Sequence, residues 1–117
     1  MTYLPGTHVI ASLSTPYPHR LEQADELRTA VDEWIDSHGL HKLGDVYHNF
    51  SPSGFTAVIC LSESHISVHT WPEFGRVNLD IYLSNYQRNN DGTVQSLYKA
   101  FIRWFAADII HEQTIHR

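Results

Sequence analysis

Serine, histidine and carboxylate side chains that could do chemistry together are concentrated in residues 61–73. Ser64 directly follows Glu63, His69 lies five residues beyond Ser64, and Glu73 lies four residues beyond His69. A serine hydroxyl can attack a polarised peptide carbonyl while a nearby imidazole moves the protons. The attacked carbonyl could be that of the Glu63–Ser64 peptide bond itself. The spacing therefore indicates acyl chemistry and leaves its target open.

Length and composition predict one domain spanning residues 1–117, with 42% hydrophobic residues to form its core. The net charge is −5 with histidines neutral and there is no Lys/Arg cluster, which argues against a nucleic-acid partner. No apolar run approaches the roughly 18 residues of a membrane span, and the chain does not begin with a signal-peptide pattern. The single cysteine, Cys60, excludes an intrachain disulfide and fits a reducing compartment. We therefore expect a cytoplasmic protein with no membrane partner.

Hydrophobic periodicity predicts both strands and helices along the chain. Strands are expected over residues 6–14, 42–50, 55–61, 66–71, 76–84 and 108–115. An amphipathic helix is expected over residues 21–38, and a second along the apolar stripe that runs from Val94 to Phe105. The clean alternation of residues 76–84 is typical of a half-buried antiparallel strand. The expected fold class is α+β, a mostly antiparallel sheet with both helices packed on one face.

A long run of distinctive residues lies within positions 46–84. It comprises Phe50, Ser51-Pro52-x-Gly54, Glu63-Ser64-His65-Ile66-Ser67, His69-Thr70-Trp71-Pro72-Glu73-Phe74-Gly75 and Asp80. This run resembles the self-cleaving segment of the prokaryotic S-adenosylmethionine decarboxylases, which are pyruvoyl enzymes of polyamine synthesis. A weaker similarity to the same family occurs at Gly6-x-His8-Val9-Ile10-Ala11. A match of this length is far more specific than a three-residue motif.

The resemblance implies that the chain cuts itself between Glu63 and Ser64. The Ser64 hydroxyl attacks the Glu63 carbonyl, the acyl group moves from nitrogen to oxygen, and elimination followed by loss of ammonia leaves a pyruvoyl group. The products would be fragments 1–63 and 64–117. By the same resemblance, His69 removes the Ser64 α-proton, a task that suits a group titrating near neutrality. Thr56 stands where the family usually has serine, and its hydroxyl would stabilise the tetrahedral intermediate.

Substrate, cofactor and partner are also implied by the resemblance. Phe50 would stack on the adenine of S-adenosylmethionine and Glu73 would bond its ribose, while the substrate amine forms a Schiff base with the Ser64-derived ketone. The decarboxylated product would serve spermidine synthesis, and the processed chains would form a homodimer with sites near the interface. We expect no metal site, because the histidines, including His65 and His69, lack zinc-binding spacing.

Ser84 departs from the family pattern, which has at this position a cysteine that protonates the substrate carbon after CO₂ leaves. A serine alcohol is a much weaker acid than a thiol. Ser84, Tyr82 and His69 are therefore alternative proton donors. Cys60 would lie about 13 Å from Ser64 along an extended chain, unless the chain turns sharply between them. The departure keeps two other functions open. They are a pyruvoyl-dependent arginine or ornithine decarboxylase and a non-catalytic relative that regulates the true enzyme.

Overall fold

Six strands form one sheet in the computed structural model, which describes residues 2–117. The strands are β1 (Thr7–Ser14), β2 (Lys42–Asn49), β3 (Phe55–Leu61), β4 (Ser64–Trp71), β5 (Arg76–Leu83) and β6 (Asp108–His116). Their order across the sheet is β2-β3-β4-β5-β1-β6, and every pairing is antiparallel. The expected α+β class is confirmed.

Two helices, α1 (Asp25–Ser37) and α2 (Asp91–Phe105), cover one face of this sheet. Their apolar stripes pack with the inward-facing strand residues into a single core. The helices also touch each other, since the rings of Trp34 and Phe101 meet edge to face with centroids 5.0 Å apart. The helical face of the four inner strands β1, β3, β4 and β5 is therefore buried, as expected.

Helix α1 begins at Asp25, later than the sequence indicates. Residues Pro18–Leu21 form a separate 3-10 turn. The Glu22 carbonyl accepts a hydrogen bond from Gly54 at 2.9 Å, and the Ala24 N–H donates to the Asn49 side chain at 2.8 Å. Because these backbone groups bond to the end of β2 and to the loop that follows it, they leave the helical path that periodicity alone predicts.

Strands β3 and β4 form a hairpin with a two-residue connection, Ser62 and Glu63. Strand β4 begins at Ser64, two residues before its expected start at Ile66. The Glu63–Ser64 bond consequently lies at the tip of a hairpin in the middle of the sheet.

The second face of the sheet carries no helix within residues 2–117. Val46, Val58, Ser67 and Asp80 lie side by side across four strands of this face, which we call the open face. Val46 is 66% exposed and Val58 is 43% exposed. Within residues 2–117, neither helix is long and apolar enough to cross a membrane.

Candidate active site

Ser64 has an unusual backbone conformation for a residue with a side chain. Its φ angle is +128°, in the region that favours glycine. It is also half-buried and pairs with Leu61 and Leu83 in the neighbouring strands. Conformations of this kind typically cost about 1–3 kcal/mol and persist where the surrounding structure holds them. The proposed cleavage serine is thus a point of local strain.

The carbonyl of Glu63 is the group that Ser64 would attack, and it has a specific partner. The backbone N–H of Ser84, just after β5, donates a hydrogen bond of 2.8 Å to this oxygen. A donor in this position polarises the carbonyl and stabilises negative charge that develops on it. Glu63, Ser64 and Ser84 are therefore brought together, and we call them the cleavage group.

The side chain of Glu63 is held as firmly as its carbonyl. Arg88 binds both carboxylate oxygens, at 3.2 Å through Nε and 3.0 Å through a terminal nitrogen, and the Asn90 amide donates at 2.9 Å. Burial alone would raise the pKa of this carboxyl, but the hydrogen bonds from Arg88 and Asn90 lower it below its ordinary value. Neither partner was predicted from the sequence. A sequence gives no signal for this contact, because Arg88 lies 25 residues from Glu63 along the chain.

A cavity of about 630 Å³ opens beside Ser64 on the open face. It is lined by His8, Val58, Cys60, Ser64, His65, Ser67, Tyr82 and Arg117. Neither ring nitrogen of buried His8 has a hydrogen-bond partner within residues 2–117, and burial lowers the pKa of this imidazole. Burial raises the pKa of the Tyr82 hydroxyl, which donates to the Arg117 carbonyl at 3.1 Å.

Cys60 lines this cavity, contrary to the expectation from an extended chain. The hairpin folds β4 back along β3, so that Cys60 pairs with His65, the residue after Ser64. The thiol is free and exposed. The chain turns sharply at Ser62 and Glu63, so the distance estimated for an extended chain does not apply.

A second set of expected site residues surrounds a separate cavity of about 350 Å³. Thr56 and His69 pair across β3 and β4, and the Thr56 hydroxyl lies 3.1 Å from Nδ1 of His69. Phe50 and Glu73 line the same cavity, and Phe50 is 50% exposed. We call Phe50, Thr56, His69 and Glu73 the histidine group.

Local backbone features hold Glu73 in this group. Glu73 belongs to the 3-10 turn Pro72–Phe74, which ends at Gly75 with a left-handed φ of +61°. A Cβ at Gly75 would lie 2.6 Å from the Thr15 carbonyl oxygen, so no larger residue fits without a shift of the backbone. The turn is therefore fixed at both ends, by the proline ring and by the glycine.

The cleavage group and the histidine group do not meet within one chain. Ser64 and His69 lie on the same extended strand, five residues apart, which corresponds to about 17 Å. The structure thus gathers the expected site residues into two clusters on one sheet. Within residues 2–117, no three His, Cys, Asp or Glu side chains are grouped so that they could hold a metal ion.

Comparison with known proteins identifies the family. A family model described as S-adenosylmethionine decarboxylase matches residues 7–117. The chain belongs to the S-adenosylmethionine decarboxylase family. The resemblance in residues 46–84 is therefore confirmed, and the family extends over nearly the whole chain.

Individual members of the family resemble the chain in sequence and in structure. An S-adenosylmethionine decarboxylase proenzyme from Archaeoglobus fulgidus is 34% identical over 112 residues, which are 96% of each chain. A proenzyme from Persephonella marina is 39% identical over 77 residues, 66% of this chain and 58% of the relative. The crystal structure of the adenosylmethionine decarboxylase from Aquifex aeolicus superimposes with a TM-score of 0.86 at 26% identity, covering 99% of this chain and 92% of that one.

Proposed function

We propose that this protein is a pyruvoyl-dependent decarboxylase that acts on S-adenosylmethionine and serves spermidine biosynthesis. The observation that carries the proposal is the Glu63–Ser64 bond, strained at Ser64 and hydrogen-bonded at its carbonyl, in a chain of this family. We propose a cytoplasmic location, which the free thiol of Cys60 fits.

Self-cleavage of the Glu63–Ser64 bond creates the active enzyme in this proposal. The Ser64 hydroxyl adds to the Glu63 carbonyl, and collapse of the adduct moves the acyl group from nitrogen to oxygen. A base then removes the Ser64 α-proton. The main-chain carboxylate of Glu63, now the C-terminus of fragment 1–63, departs with the electrons of the C–O bond. Hydrolysis of the resulting dehydroalanine releases ammonia and leaves the pyruvoyl group on fragment 64–117. The Ser84 N–H stabilises the first step, since it already bonds the oxygen on which charge develops.

The residues of the histidine group have chemistry that suits a nucleoside substrate and proton transfer. The exposed ring of Phe50 offers a face to a purine, and the Glu73 carboxylate can accept hydrogen bonds from ribose hydroxyls. His69, oriented by the Thr56 hydroxyl at 3.1 Å, is the base for the elimination step. The pyruvoyl group formed from Ser64 would supply a ketone for the substrate amine and an electron sink for decarboxylation.

We propose that a homodimer joins the two groups into a complete site. About 17 Å separates Ser64 from His69 in one chain, too far for His69 to act on its own Ser64. Ser64 and His69 line cavities on the open face, which also exposes Val46 and Val58. A second copy placed on this face with two-fold symmetry can therefore bring Ser64 of one protomer to His69 of the other. Each of the two sites would then use Ser64 of one protomer and His69 of the other.

Mixing two inactive variants tests this arrangement. Ser64→Ala and His69→Ala chains, co-expressed with different tags, form mixed dimers in which one site has both native residues. We expect cleavage of the His69→Ala chain in the mixed dimer and none in its homodimer. If the His69→Ala chain stays intact in purified mixed dimers while wild-type homodimers are cleaved, the shared site is contradicted.

Release of CO₂ from carboxyl-labelled substrates tests the decarboxylase function itself. Wild type should release CO₂ from S-adenosylmethionine, and Ser64→Ala should not, because it cannot form the pyruvoyl group. Arginine and ornithine serve as comparison substrates. Release from either of these alone would overturn the proposed substrate, and a wild-type chain that stays intact and inactive would favour a regulatory relative.

A further inference from the structure

We propose that Arg88 and Asn90 are positioning residues for self-cleavage, which hold the Glu63 side chain and thereby the strained Glu63–Ser64 bond. This inference rests on the proposed self-processing function. Neither residue touches the atoms that react. Their effect would pass through Glu63, whose carboxylate they bind and whose carbonyl is the attacked group.

Arg88 connects the hairpin tip to the end of helix α1. Its guanidinium binds both oxygens of Glu63 and also donates to the carbonyls of His38 and Gly39, at 3.4 Å and 3.1 Å. The Glu63 side chain is 11% exposed in this ion pair. A bidentate pair of this kind fixes orientation as well as distance. Arg88 therefore anchors the turn to a rigid element outside the sheet.

Asn90 connects the two sides of the cleavage group. It is 1% exposed, and its amide nitrogen donates to Glu63 Oε1 at 2.9 Å and to the Ser84 carbonyl at 2.8 Å. Its own backbone N–H is held by the Asn85 side chain at 2.6 Å. Ser84, which supplies the N–H, and Glu63, which carries the carbonyl, are therefore both hydrogen-bonded to the buried side-chain amide of Asn90.

These contacts explain how strain can persist at a hairpin tip. In a two-residue connection with no further support, the Glu63–Ser64 peptide plane would rotate and relax the φ of +128° at Ser64. Three side-chain hydrogen bonds to Glu63 and one backbone bond to its carbonyl prevent this rotation. The Ser64 hydroxyl and the Glu63 carbonyl carbon are then kept in an orientation suited to attack. Such orientation contributes strongly to the rate of intramolecular reactions.

Cleavage rates of purified proenzyme variants test the inference. Arg88→Met keeps the apolar stem of the side chain but removes the bidentate pair, and we expect it to slow cleavage by roughly tenfold or more. Arg28→Met is the control, because Arg28 of α1 makes a 2.9 Å ion pair with Asp45 of β2 through a single nitrogen, away from the Glu63–Ser64 bond. It should cleave at the wild-type rate. Asn90→Ala should slow cleavage in the same way as Arg88→Met.

Three further measurements separate positioning from a general loss of structure. Millimolar guanidinium should restore part of the rate in Arg88→Ala, because it can occupy the vacated site, and it should not accelerate Asn90→Ala. In a Glu63→Gln background, Arg88→Met should add little further slowing, since the two residues act through one contact. Thermal unfolding of the same changes in an uncleavable Ser64→Ala background reports whether the fold is retained.

The outcomes also distinguish this inference from the function on which it rests. A wild-type chain that never splits contradicts self-processing itself. A wild-type chain that splits, together with Arg88→Met and Asn90→Ala variants that split at the same rate, overturns the positioning role alone. An Arg88→Ala chain that guanidinium does not rescue, or an Arg88→Met change that slows the Glu63→Gln chain by its full factor, would also overturn it.

Discussion

The backbone N–H of Ser84 donates a 2.8 Å hydrogen bond to the carbonyl oxygen of Glu63. Ser84 therefore contributes to the cleavage group through its main chain, independently of its side chain. By the resemblance, Ser84 also stands where the family has a cysteine that protonates the substrate carbon, and we propose that its main chain and its side chain act at different stages. The main chain would act in self-cleavage and the side chain in turnover of the substrate.

Substitutions at Ser84 should separate these two stages. Ser84→Ala keeps the N–H and should cleave at nearly the wild-type rate, whereas Ser84→Pro lacks the N–H and should cleave about 10²–10³-fold more slowly. Time courses of fragment appearance on denaturing gels measure both. A folded Ser84→Pro chain that cleaves as fast as Ser84→Ala would show that the hydrogen bond has no role in cleavage.

Ser84→Cys should raise turnover of S-adenosylmethionine. A thiol is a better acid than an alcohol, and positioned proton transfer contributes about 10²–10⁴-fold. Protonation of the carbon derived from the pyruvoyl group, in place of the substrate carbon, converts the pyruvoyl group to alanine. Ser84→Cys should therefore also lose activity more slowly. Steady-state assays, with alanine-terminated fragment measured by mass, provide both readouts.

Cys60→Ser is the necessary comparison for that variant, because Cys60 lines the cavity beside Ser64. With Ser84 as the donor, Cys60→Ser should leave turnover nearly unchanged. A wild type that is not improved by Ser84→Cys and is inactivated by Cys60→Ser would assign the proton to Cys60 instead.

The strain at Ser64 predicts an unusual response to glycine. Glycine adopts a φ of +128° without the penalty that a Cβ imposes, so Ser64→Gly should be more stable than Ser64→Ala by about 1 kcal/mol. Both variants lack the hydroxyl and stay uncleaved, so their unfolding in urea can be compared directly. Equal stabilities, or a more stable alanine variant, would contradict the strain.

The ion pair at Glu63 predicts a specific dependence of stability on pH. Its folded-state pKa lies below the ordinary glutamate value, so its stabilisation is complete above that value and is lost as pH falls through the folded pKa. In a Ser64→Ala background, the loss of unfolding free energy caused by Glu63→Gln should therefore shrink on acidification. Glu73→Gln, at an exposed carboxylate, is the control and should show a smaller change. A Glu63→Gln effect that stays constant down to acidic pH would contradict the ion pair.

The sequence predicted those features that depend on local pattern. The strand expected over residues 55–61 is β3 in full, because alternation and the flanking turn residues define it. The start of α1 was wrong because Glu22 and Ala24 bond to Gly54 and Asn49, which are distant in sequence.

The candidate site was predictable in its residue types and less so in its arrangement. Family resemblance indicated Ser64 and His69, but the length of β4 that separates them becomes clear only from the register of the sheet. Arg88 belongs to a polar segment without a recognisable motif, between β5 and α2. Its partner, Glu63, lies in the hairpin of β3 and β4. Long-range pairing of single polar side chains leaves no periodic signal in a sequence.

Mass measurement of the denatured chain tests self-cleavage at Glu63–Ser64 most directly. Wild type should give fragment 1–63 and fragment 64–117, and the second should be lighter by one molecule of ammonia than the product of simple hydrolysis, because its first residue has become a pyruvoyl group. Ser64→Ala should give one intact chain. Wild type that remains whole, fragments that begin with an unmodified serine, or the same two fragments from Ser64→Ala would contradict the account.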